Sequence, residues 1–218
     1  MRKNEVEALA LDALDLVRNG LLVNLRFMSA AFARLAPLPI PGATLATDGA
    51  HLRFDPVTWA RTYANDPAEA SRAYLHTVLH NVFLHLYPGA GIDPLLWDIA
   101  CDMVVESVID QLDLPATRTA QAAASRPELE RMAEEAGLMT AERVYAALRD
   151  RRAAGATDDE LARLGSLPRG RPSPLACRRH CRRRRSVGQD GRGNRRRGPH
   201  ERSRRQGRHL RHRHGHPR

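Results

Sequence analysis

The chain has 218 residues, room for one domain of ordinary size and a tail, and its formal charge of +10 comes from one end. Nineteen arginines but only two acids, Asp190 and Glu201, fall between Arg169 and Arg218, so residues 1–168 carry 16 basic against 23 acidic side chains. Three cysteines (Cys101, Cys177, Cys181) are too few and too uneven for a disulfide framework; nothing at the N-terminus looks like a signal peptide and no run of ~18 uncharged apolar residues could span a bilayer, so a soluble cytoplasmic protein is expected.

In chain order, Leu14, Val17, Leu21, Leu25, Met28, Phe32 and Leu35 recur at steps of three and four, which predicts one long amphipathic helix. Asn4 is its expected cap, and Pro37, Pro39 and Pro41 its expected end. Asp48-Gly49, followed by Leu52 and Phe54 alternating with polar residues, predicts a small hairpin. Asp55-Pro56, Asp66-Pro67 and Asp93-Pro94 each place a capping side chain before a proline at the first helical position. The helix from Pro67 is expected to run to about Tyr87, and the helix from Pro94 to about Leu114. A further helix is expected from about Pro127, and two short ones near Thr140 and Thr157, the last with Thr157 and Glu160 in capping-box spacing. The fold expected is mainly α with one hairpin.

Two of these helices carry residues with chemistry. In the first, His76 and His80 lie four apart, one turn above each other, so two imidazoles can reach one metal ion. The bland alternative is a pair of histidines packed among Leu75, Leu79, Val82 and Leu86. His85 is a secondary candidate: nine residues past His76, it falls on the far side of the helix unless the helix breaks. In the second helix, Asp102 and Glu106 are again one turn apart, with apolar residues on nearly every side. A helix apolar all round is buried, and a buried carboxylate needs a partner or a metal. The alternative is a solvent-facing acidic stripe, since Asp98 and Asp110 extend the same row. Only Pro88 to Asp93 join the two helices, which favours antiparallel neighbours. Facing each other, they give a zinc site for one ion from His76, His80 and Asp102 with room for water, and Glu106 as fourth ligand or general base. Cys101 points about 100° away from Asp102 and is read as packing.

The pairing of Leu75-His76 and Leu79-His80 with Trp97-Asp98-Ile99-Ala100-Cys101-Asp102 resembles the putative metallopeptidase domain at the N-terminus of bacterial von Willebrand factor A-like proteins. Ala46 to Gly49, Phe54 to Pro56 and Leu138 to Tyr145 resemble it too, and the resemblance covers roughly residues 5–165. It implies a zincin-like helical core, His76 and His80 as zinc ligands, Asp102 as the third, and a peptide or protein substrate. Members with His-Glu-x-x-His use the Glu to activate zinc-bound water; here Thr77 stands in that place and cannot act as a base at neutral pH. Members usually continue into a von Willebrand factor A-like domain, and the residues after 167 do not read as one.

Composition sets the boundary of the domain at residues 1–167, before a disordered basic tail over 168–218. The tail reads in three ways. A basic arm would bind nucleic acid non-specifically and lose affinity with salt. A His-rich tract (His209, His212, His214, His216) would bind metal. Translation out of frame is the favoured reading, because a one-nucleotide shift lets residues 168–177 encode an Asp-Asp-His and a Trp in keeping with the family's continuation. The nucleotide sequence decides it. The function expected is thus a zinc metallopeptidase-like domain of uncertain activity, with a non-catalytic scaffold as the alternative.

Overall fold

The structure, a computed structural model, describes residues 3–165. The 167/168 boundary and all three readings of the basic segment lie outside the described residues.

The described residues form eight α-helices and one small sheet: α1 (Lys3–Asn24), α2 (Ser29–Arg34), β1 (Ala36–Pro39), β2 (Ala46–Thr47), β3 (His51–Phe54), α3 (Pro56–Asn65), α4 (Pro67–Val82), α5 (Pro94–Leu112), α6 (Ala120–Ala136), α7 (Ala141–Ala153) and α8 (Asp158–Gly165). The mainly helical architecture is the expected one. No helix among the described residues is long and apolar enough to cross a membrane.

The opening stripe is buried from Leu14 to Leu35, but over three pieces rather than one helix. Leu25 leaves helical geometry (φ −116°, ψ 47°), and a 3₁₀ turn at Arg26–Met28 leads into α2. Asn4 lies inside α1 instead of capping it. The hairpin is present as β2 and β3, with the Asp48 carboxylate accepting from the Ala50 and His51 amides across the turn. Unforeseen is β1, which pairs parallel to β3 at the edge of a β1-β3-β2 sheet. Its prolines are tolerated because an edge strand needs donors on one side only; Ala36 and Ile40 donate to Ala50 and Phe54.

Asp55, Asp66 and Asp93 cap α3, α4 and α5 with their carboxylates, each before a proline. Thr157 and Glu160 form the reciprocal capping box of α8. One boundary was misplaced by a proline: α6 begins at Ala120, capped by Thr119, and contains Pro127 instead of starting there.

α5 is the axis of the molecule. Val105 and Ile109 join the core made by α1, the sheet, α3 and α4. Leu96, Ile99, Ala100, Met103 and Val104 face α6, α7 and α8. Trp97 and Cys101 pack on Leu86 and Ala141. The all-round apolar character of this helix is thus used on every side, and what is polar on it must find a partner inside.

α4 ends at Val82, five residues before the expected stop. The His85 amide donates to the His80 carbonyl at 3.0 Å and the Leu84 amide to Asn81 at 3.2 Å, the paired bonds of a Schellman cap. The position that usually takes glycine holds Leu84, at φ 57°. A β-carbon in this left-handed region costs about 1–2 kcal/mol. Leu84 is 64% exposed, so little packing repays it. Leu84→Gly is therefore expected to raise stability by about 0.5–1 kcal/mol after the entropy of glycine in the unfolded chain is charged. Thermal unfolding followed by circular dichroism should move up by about 2–4 °C; a fall would show that the Leu84 side chain holds the turn.

Candidate metal centre

α4 and α5 run antiparallel, with Arg72, His76 and His80 on one helix facing Glu106, Asp110 and Asp102 on the other. All three members of the triangle His76, His80 and Asp102 are buried, at 6%, 0% and 8% exposure. His80 Nε2 lies 2.9 Å from His76 Nε2 and 3.2 Å from Asp102 Oδ1, and His76 Nε2 lies 3.6 Å from the same oxygen. Both ring nitrogens approach the buried Asp102 oxygen, but neither does so in good hydrogen-bond geometry. Atoms this close must share a proton, as in the 2.9 Å contact between the two Nε2 atoms, or a cation among them. A tetrahedral zinc ion with bonds of 2.0–2.1 Å separates its ligand atoms by about 3.3–3.4 Å. The observed edges bracket that length, and the donor set of two imidazoles and one carboxylate suits zinc.

The charged groups of the site shift one another. Burial disfavours the His76 imidazolium, but the Asp102 and Glu106 carboxylates outweigh it and raise its pKa to about 9. Burial holds the His80 pKa down, against the pull of Asp102. Burial opposes ionisation of Asp102, yet its pKa is lowered, because His76 and His80 face it.

The remaining sequence candidates have definite places. Glu106 stands behind the triangle: Oε1 meets His76 Nδ1 at 2.6 Å, and Oε2 accepts from Arg72 at 2.7 Å. His85, carried back by the turn at Leu84, sets its Nδ1 3.4 Å from His80 Nδ1, while Trp97 Nε1 donates to the His85 carbonyl at 3.0 Å. Burial lowers the His85 pKa to about 3, with His80 second. Each histidine of the triangle thus has its Nδ1 occupied from behind and its Nε2 turned toward Asp102. A hydrogen bond on one ring nitrogen fixes the tautomer and leaves the other free for metal. Thr77 is buried with its hydroxyl bonded to the Ala73 carbonyl at 3.0 Å, a link within its own helix. Cys101 is fully buried, and burial pushes its thiol pKa well up. Asp98 is half-buried, and Asp110 is tied to Arg72.

Sequence reasoning missed Arg72. The signal was available, because Arg72 continues the i, i+4 row of His76 and His80 as Asp110 continues that of Asp102 and Glu106. Arginine in a helix is ordinarily read as a surface residue.

Neither the curated proteins nor the solved structures contain a match to this chain. Residues 20–216 match the protein family described as "Putative metallopeptidase domain", a stretch that runs past the compositional boundary at 167. With that match over most of its length and a buried His-His-Asp triangle on α4 and α5, the chain belongs to this family of metallopeptidase-type domains.

Proposed function

We propose that the domain binds one zinc ion through His76 Nε2, His80 Nε2 and Asp102 Oδ1, and that its substrate class is a peptide or protein. The observation that carries the reading is the convergence of a buried Asp102 oxygen with two imidazole nitrogens, at 3.2 and 3.6 Å. Three protein ligands leave a fourth position for water or substrate, the arrangement of catalytic zinc sites. Zinc held there supplies Lewis acidity, lowering the pKa of bound water and polarising a carbonyl.

The weak point for turnover is the base. Both oxygens of Glu106 are engaged, by His76 and by Arg72, so Glu106 serves as the partner that orients His76 rather than as a free carboxylate. Asp102 is a ligand in this reading. Thr77 cannot take a proton from water at neutral pH, and its hydroxyl is bonded within α4. Zinc binding with weak or absent peptide hydrolysis is the function that this geometry supports.

Elemental analysis of the purified chain is expected to find about one zinc per molecule, absent from His76→Ala/His80→Ala and strongly reduced in Asp102→Asn. No metal in the folded parent would leave a helical interaction domain whose histidines only pack. The pH dependence has a definite sign. His76, with its pKa near 9, is protonated at pH 7 and must give up that proton to bind, whereas His80 is already neutral and Asp102 already ionised. Zinc affinity should therefore tighten about tenfold per pH unit from 7 to 9 and then level off, with about one proton released per ion at pH 7. Calorimetry in buffers of different ionisation enthalpy reads that proton; none released would show either that His76 is already neutral at pH 7 or that it is not a ligand. Finally, Thr77→Glu should raise hydrolysis of an unstructured peptide by the zinc-loaded chain by about 10²-fold or more over the parent. An unchanged rate with zinc still bound would mean that the missing base is not what limits the reaction.

A further inference from the structure

We infer that Arg72 is a positioning residue of the metal centre: it fixes the Glu106 carboxylate, and through it the imidazole of His76. The inference rests on the zinc-binding reading above.

Arg72 is 2% exposed, and its guanidinium is surrounded by acceptors. Nε and Nη2 approach the same oxygen, Glu106 Oε2, at 2.7 and 2.6 Å. Nη2 also donates to Asp110 Oδ1 at 2.8 Å, and Nη1 to the Thr117 carbonyl at 3.2 Å. Because both of these contacts with the Glu106 carboxylate end on Oε2, Oε1 faces His76 Nδ1, at 2.6 Å. A carboxylate held only by an imidazole can turn about its last torsion; one whose other oxygen is gripped by a planar, permanently charged fork cannot. The grip passes from Asp110 and Thr117, remote from the triangle, through Arg72 and Glu106 to a ring whose opposite nitrogen faces Asp102. A mere tie between α4, α5 and the turn at Pro115–Thr117 would be complete with Asp110 and Thr117. The contact with Glu106 is what adds a path to the metal. Outer partners of this kind orient metal-bound histidines, and their loss weakens metal binding by about 10–100-fold.

The test uses the full chain loaded with cobalt(II), whose visible spectrum reports ligand geometry, together with chelator competition for affinity. Arg72→Met is expected to weaken binding by about 10–100-fold and to shift the cobalt bands. Arg72→Lys, which keeps a charge but not the fork, should fall between it and the parent. Arg72→Met combined with Glu106→Gln should bind no worse than Glu106→Gln alone, because both act through one link. A fall in thermal stability with unchanged affinity and spectrum in Arg72→Met would make Arg72 a structural tie and overturn the inference. If Arg72→Met does not fold, the Lys variant decides by the same two readouts. A parent that takes up no cobalt overturns the zinc-binding reading and this inference together, whereas metal held equally well by parent and variant overturns this inference alone.

Discussion

Charge balance in a dry interior is the constraint on which the rest of this structure depends. α5 carries Asp102 and Glu106 between two apolar cores, where an ion without a partner is costly beyond what the core can supply. α4 answers with Arg72, His76 and His80 in the same four-residue spacing. Arg72 cannot lose its proton, so it settles Glu106 permanently. Asp102 has no such partner and faces only two imidazoles. Its charge is met either by a proton on His76 or by a metal ion in its place. The two states are alternatives: a divalent ion with Arg72 offsets Asp102, Glu106 and Asp110 once His76 is neutral. The same wedge of charge favours one antiparallel register of α4 and α5, since a one-residue slip would set the carboxylates against residues such as Ala73, Leu75 or Leu79 in place of Arg72, His76 and His80.

How much of this was legible in the sequence follows from which signals are local. The aspartate–proline pairs before α3, α4 and α5 act within four residues, and all three caps form as read. The rows His76–His80 and Asp102–Glu106 follow from helical periodicity, and the short link sets them face to face. What failed to read depended on context. Leu84 gives no hint of a left-handed conformation, because the usual mark is glycine; the turn exists because the pairing of His85 with His80 and the burial of Leu86 outweigh its cost. Pro37 and Pro39 read as terminators, yet an edge strand accepts them, and Pro127 sits inside α6 although it removes one helix bond. The burial of Arg72 is set by groups 34 and 38 residues away, which no local pattern reveals.

Thr77 separates two functions that the metallopeptidase arrangement normally joins. Holding an ion requires three donors and partners behind them; activating water requires one more free carboxylate beside it. The first set is intact here down to the Nδ1 partners of both histidines. The second is absent at the position next to His76, where the hydroxyl is bonded to Ala73.

That asymmetry bears on what the domain is for. Buried ion pairs are poor stabilisers: replacing them with apolar side chains of similar size is often neutral or favourable, while removing one partner alone is strongly destabilising. A chain in which α4 and α5 served only as packing would be at least as stable with leucine or methionine at 72, 76, 102 and 106. The buried group instead sets its charges in register with a triangle of donor atoms of the kind that holds a metal ion, and orients both imidazoles from behind. Fold stability alone does not explain that arrangement; a bound ion would. The function to be sought first is therefore one that needs a metal held in place, with peptide chemistry dependent on a proton acceptor supplied from outside α4.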